Sequence, residues 1–80
     1  MQIEYSKGAE KELRKLPSKE QRKISKKITY LRINPTFGKQ LKGEFTGLRS
    51  LRAWPYRIIY RIDNIKIFIV HIAHRQGVYK

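Results

Sequence analysis

The apolar positions of this 80-residue chain change their period near Gly47. Before that point, Ile3 and Tyr5 alternate with polar neighbours over residues 2–5, as in a short strand. Ser6 offers a helix N-cap, and Ala9, Leu13 and Leu16 follow along one helical face until Pro17 stops it. Ser18 and Gln21 spell the S-x-x-Q pattern of a capping box, so a second helix is expected at once. Ile24, Ile28 and Leu31 form its apolar stripe, and Asn34-Pro35 ends it. Two helices so closely joined form an αα-hairpin. Gly38, Gly43 and Gly47 mark residues 36–47 as a loop, with room for one turn around Leu41.

From Arg49 onward the period is two. Residues 49–54, 56–62 and 65–73 read as strands rich in Ile, Tyr and Val, with Pro55 at the first bend. Asp63-Asn64 is the expected hairpin turn, since both residue types tolerate positive φ. With that turn, Ile62 faces Ile65, Tyr60 faces Ile67, Ile58 faces Ile69 and Tyr56 faces His71, an apolar side suited to receive the helices. The opposite side then gathers Arg57, Ile59, Arg61, Lys66, Phe68, Val70, Ile72 and His74. Such a mixture suits RNA, or a protein strand or helix. The expected fold is α+β, a single domain over residues 1–80. An N-terminal strand and an αα-hairpin pack on a twisted, mainly antiparallel sheet of three to four strands.

Charge changes the picture most. There are 19 Lys and Arg against 6 Asp and Glu, a formal net charge of +13. The excess runs through both halves of the chain, which excludes a basic tail on a neutral domain. Self-repulsion at this density is best relieved by a polyanionic partner, and nucleic acid is the first candidate. An acidic protein or an anionic membrane surface would supply the same charge. With no cysteine, disulfides, thiolate metal sites and a cysteine nucleophile are excluded. The start, MQIEYSKGAEKEL, has no signal-peptide pattern, and the longest apolar run, residues 67–70, is strand-sized. A soluble cytoplasmic protein is expected.

No Ser/His/Asp set, carboxylate pair or glycine-rich phosphate loop stands out, and no cofactor is implied. His71 and His74 are three apart on one strand, so they point to opposite faces and do not share a metal. Parity sends His71 to the edge of the core and His74 to the arginine side. What remains is Arg52, Arg57, His74, Arg75 and Tyr79, a set suited to metal-free RNA cleavage. Arginine can stabilise a phosphorane, histidine can move protons, and tyrosine can stack on a base.

The segment LRSLRAWPYRIIYRIDNIKIFIVHIAHRQGVYK, preceded by NP at 34–35 and QLKG at 40–43, resembles toxins of the RelE/ParE superfamily of type II toxin–antitoxin systems. Its carriers are L-x-G, R-x-x-PYRI-I-Y and HR-x-x-VY in order, and the resemblance spans essentially the whole chain. The RelE-like branch implies a ribosome-dependent mRNA endoribonuclease without a metal or cofactor. It implies an acidic cognate antitoxin, the ribosome and mRNA as partners, no membrane, and operator DNA only through the antitoxin complex. By the same resemblance, Arg57 stabilises the phosphate, Arg75 aids leaving-group protonation and Tyr79 stacks on a substrate base. Arg49, Arg52, Arg61 and Lys66 are the expected RNA-binding residues. Members with two lysines on the strand before Arg57 have an evident base. Here Arg49, Ser50, Leu51 and Arg52 supply none, so His74 becomes the candidate. ParE-like gyrase inhibitors share the fold and generally lack the terminal arginine and tyrosine set.

Overall fold

A computed structural model describes residues 1–74. The chain runs β1 (Gln2–Tyr5), α1 (Lys7–Arg14), α2 (Ser18–Tyr30), β2 (Lys39–Gln40), a short 3-10 turn (Gly43–Phe45), β3 (Arg49–Ala53), β4 (Tyr56–Asp63) and β5 (Lys66–His74). Two helices pack on a five-stranded mixed sheet in the order β1-β5-β4-β3-β2. The β1–β5 pair is parallel and the other three pairs are antiparallel. The α+β expectation holds. The sheet is wider than expected because Lys39 and Gln40, inside the stretch read as loop, pair with Ser50 and Arg49. A strand of two polar residues carries no alternation to read.

Ser6 caps α1 as its type predicts, its Oγ accepting the Ala9 N–H at 2.9 Å. The second helix starts differently. Pro17 is its N-cap, Ser18 is already helical, and no capping box forms. The Gln21 side chain instead donates from Nε2 to the Leu16 carbonyl at 2.7 Å, tying the start of α2 to the end of α1. Fixed φ suits proline to this boundary and leaves no N–H unsatisfied there.

The core lies on one sheet face. Ala9 of α1 and Ile24, Ile28 and Leu31 at the end of α2 meet Leu51, Ala53, Ile58, Tyr60, Ile67, Ile69 and Ile72. Full burial of each large aliphatic side chain contributes about 1.5–3 kcal/mol, which fixes the sheet against the helices. No polar or charged residue is buried among the described residues except through the Tyr60 hydroxyl.

The hairpin register corrects the sequence reading. Asp63 pairs with Lys66, so the turn residues are Asn64 and Ile65, one position later than expected. Asn64 takes the positive φ, 56°. Ile62 then faces Ile67 and Tyr60 faces Ile69, a shift of two that leaves the faces unchanged. Between Tyr60 and Ile59 the register slips by one more, leaving Val70 as a bulge. The Val70 carbonyl accepts a hydrogen bond from Ser6 Oγ at 2.8 Å. Beyond the bulge every β5 side chain changes face. Ile72 joins the core, His71 pairs with Ile59 and His74 pairs with Tyr56.

Candidate nucleic-acid interface

The β3–β4 hairpin places two arginines face to face. Ala53 pairs with Tyr56 across the Trp54-Pro55 turn, and the next pair is Arg52 with Arg57. Ala53 packs in the core and Tyr56 against it, so alternation sends both arginines to the outer face, away from the helices. Directly opposed side chains of this kind start about 4.5–5.5 Å apart at Cβ, and like charges there are destabilising. Neither guanidinium has a hydrogen bond or ion pair within the described residues. The pair opens onto a cleft of about 450 Å³ at the edge of β3, lined also by Lys27, Phe37, Lys39, Ser50 and Leu51. No acidic side chain lines it.

The wall carrying Phe37 is held from beneath by Tyr60. That side chain is fully buried; its Oη accepts the Gly38 N–H at 2.8 Å and donates to the Pro35 carbonyl at 2.7 Å. Gly38 is required by space: a Cβ there would lie 2.6 Å from both Cε1 and Oη of Tyr60. Burial pushes the Tyr60 phenol above its ordinary pKa, opposed by the Gly38 hydrogen bond and the Arg49 charge. Arg49 itself is bound to the loop, its Nη1 donating to the carbonyls of Gly38 at 2.8 Å and Thr36 at 3.3 Å. Expected to bind RNA, Arg49 serves here as a brace.

The remaining predicted residues divide. Arg61 shares the outer face with Arg57 and lies over the Phe68 ring, 4.7 Å from its centroid. Lys66 is on that face too, paired with Glu4 at 3.3 Å. His74 is not. It pairs with Tyr56, with ring centroids 5.6 Å apart, on the side opposite Arg57. The expected His74–Arg57 face is therefore wrong, and the bulge at Val70 is the reason. The same slip brings His71 to the outer face, with a side chain 60% exposed and its Nδ1 3.8 Å from Glu12 Oε1. Glu12 is anchored in turn by the Ile72 N–H at 3.0 Å. Arg75 and Tyr79 lie outside the described residues.

Sequence reasoning missed Lys27, Phe37 and Lys39. Lys27 read as one of many solvated helix lysines, and only the chain's return at Phe37-Gly38-Lys39 brings the three together. An exposed aromatic beside a glycine and a lysine was the available signal. Chemically, an outward arginine pair flanked by lysines can bind phosphate oxygens by charge-assisted forks. Among the described residues, no cluster of three histidine or carboxylate groups is placed to hold a metal ion. None of their helices is long and apolar enough to cross a membrane.

Comparison with known proteins bears on the family and the fold. Residues 3–79 match the family described as ParE toxin of type II toxin–antitoxin system, parDE. Toxin RelE of Mycobacterium tuberculosis is 40% identical over 45 residues, which cover 54% of this chain and 46% of that protein. The matched stretch thus spans about half the length of that relative. Among solved structures, the RelBE2 toxin–antitoxin complex from Mycobacterium tuberculosis superposes with a TM-score of 0.84 at 29% identity, covering 92% of this chain and 96% of the matched one. The intact E. coli RelBE toxin–antitoxin complex superposes with a TM-score of 0.77 at 21% identity, covering 91% and 94%, and shares the fold.

Proposed function

The chain belongs to the ParE toxin family of type II toxin–antitoxin systems, within the RelE/ParE superfamily, and from that premise we propose that it is a ribosome-dependent mRNA endoribonuclease that inhibits translation. The observation that carries this reading is the unpaired Arg52–Arg57 couple on the outer face. Holding two like charges together is unfavourable until an anion arrives, and a phosphorane gathers more charge than the ground-state phosphodiester.

In this mechanism the Arg52 and Arg57 forks hold the scissile phosphate. The 2′-hydroxyl gives its proton to a base, the 2′-oxygen bonds to phosphorus, and the bond to the 5′-oxygen breaks as that oxygen takes a proton. The base assigned from sequence to His74 passes to His71, the one imidazole on the arginine face among the described residues. Glu12 Oε1, held by the Ile72 N–H, lies 3.8 Å from Nδ1 as a nearby carboxylate, too far for a hydrogen bond. Arg75 and Tyr79 keep the roles the family resemblance implies, in leaving-group protonation and base stacking. The cognate antitoxin is acidic where it covers this surface, and the chain reaches operator DNA only within that complex.

The family's ParE description favours one rival, an inhibitor of DNA gyrase without catalysis. Incubating the purified chain with programmed ribosomes and mapping mRNA ends separates the two. Discrete cuts in ribosome-bound mRNA are expected. Intact mRNA together with gyrase-linked DNA breaks would replace the nuclease by the gyrase reading.

A further inference from the structure

We propose that the arginine cleft continues around the open edge of β3 onto α2, and that this groove carries single-stranded RNA flanking the cut, with one base lodged against Tyr30 and Phe37. The proposal rests on the nuclease reading for its orientation, but its groove stands on separate observations. A second hollow of about 380 Å³ is lined by Lys23, Lys26, Lys27, Tyr30 and Phe37, and it shares Lys27 and Phe37 with the arginine cleft. The two hollows therefore form one track from β4 to the outer side of α2.

The chemistry along the track alternates. The side chains of Arg52, Arg57, Lys39, Lys27 and Lys26 have no hydrogen bond or ion pair within the described residues. Lys23 is the exception. It pairs with Glu20 at 2.9 Å and donates to the Trp54 carbonyl, fixing α2 to the β3–β4 turn and so the width of the groove. Between the cations sit Tyr30 and Phe37, rings edge to face at 5.0 Å and 44% and 50% exposed. Two half-exposed rings side by side offer a stacking face between the cations. A single strand presents the same alternation, phosphates for the amines and a base for the rings.

An acidic polypeptide would satisfy the charge, but less of the geometry. Adding a strand needs a free ladder, and pairing with β2 at Arg49 and Ser50 and the Lys23 tether at Trp54 leave only residues 51–53 of this edge open. RNA requires no ladder.

The test uses the full chain and a labelled RNA of about twelve nucleotides, within the site sizes of single-strand binders. Methylated 2′-oxygens prevent cutting, and affinity is read by anisotropy over a potassium chloride series. Replacing both rings (Tyr30→Leu with Phe37→Leu) is expected to weaken binding about 5- to 150-fold, the loss of one stacked base. Replacing both free lysines (Lys26→Ala with Lys27→Ala) is expected to reduce the slope of log K against log salt by about 1.4, or 0.7 per lost phosphate contact. All four residues are exposed, and a thermal melt checks that each variant is folded. Folded variants with unchanged affinity and slope would overturn the proposal. So would variants that keep RNA affinity but release polyglutamate, which would make the groove a dock for acidic protein. Groove-dependent RNA binding without mRNA cutting on ribosomes would remove the nuclease reading and leave the groove standing.

Discussion

On the helix side of the sheet, Tyr60 is sealed from solvent and its hydroxyl both accepts from Gly38 and donates to Pro35. On the outer side of the same two strands, Arg52 and Arg57 oppose each other with neither hydrogen bonds nor counter-charges among the described residues. Tyr60 sits where an unmade hydrogen bond costs about 1–3 kcal/mol, and none is unmade. The arginines sit where solvent makes repulsion tolerable, and their unfavourable placement is kept. The contrast teaches which face is arranged for folding and which for an absent anion. It also yields a rule for perturbation. Changes on the outer face should alter rate and affinity with little effect on stability, and changes beneath the Gly38 loop should do the reverse.

The largest effect is expected at His71. His71→Gln should lower single-turnover cleavage by about 10²–10⁴-fold, the usual contribution of a general base. His74→Gln, on the other face, should leave the cleavage rate unchanged. If the two variants exchange these behaviours, the bulge does not decide the base. Arg57→Ala comes next, with a loss of about 10²–10³-fold in the cleavage step while the melting temperature holds or rises. An equal loss in ribosome binding would reduce Arg57 to a phosphate anchor.

The histidines also show how far the sequence could be read. Alternation located β3, β4 and β5 within a residue or two, because half-buried strands rich in Ile and Tyr announce their period. It misplaced His71 and His74 because face assignment accumulates every register error between the turn and the residue. A turn displaced from Asp63-Asn64 to Asn64-Ile65 did no harm, since a shift of two preserves parity. One bulged residue reversed it. Nothing local to Val70 signals a bulge; the Ser6 hydroxyl that binds its carbonyl is 64 positions away in sequence. The capping box failed for a similar reason, since Gln21 had a better acceptor at Leu16. Arg57 and Arg52 were legible because their strands were, whereas the cleft around them needed Lys27 from α2 and Phe37 and Lys39 from the segment after it.

Beneath the loop, Gly38→Ala tests the opposite half of the rule. A Cβ placed 2.6 Å from the buried Tyr60 ring must displace either the loop or the ring. Overpacking of this kind costs about 1–3 kcal/mol. For a domain of this size, each kcal/mol lowers the melting temperature by about 4–8 °C. Urea midpoints and thermal melts measure it. A stable Gly38→Ala protein would mean that the loop is free to move and does not fix Phe37 in the cleft.

The smallest effect is a pH dependence of stability at the alkaline end. Burial holds the Tyr60 phenol above its ordinary value of 10.0, so the folded state keeps a proton that the unfolded chain releases more readily. A raised folded pKa contributes stability that is fully present below the unfolded value and is lost as pH rises through the folded one. Stability should therefore be insensitive to Tyr60 ionisation at neutral pH and begin to fall only above about pH 10. Tyr5, half-buried and also raised by burial, acts in the same direction, so the wild-type slope contains both phenols. The informative comparison is Tyr60→Phe, which removes two hydrogen bonds to the loop and lowers stability at every pH but flattens the alkaline decline. Urea unfolding at pH 8 and pH 11 reads both effects from one pair of proteins. An alkaline slope that survives Tyr60→Phe intact would assign the decline to Tyr5, and would show that the phenolate is tolerated beside Arg49.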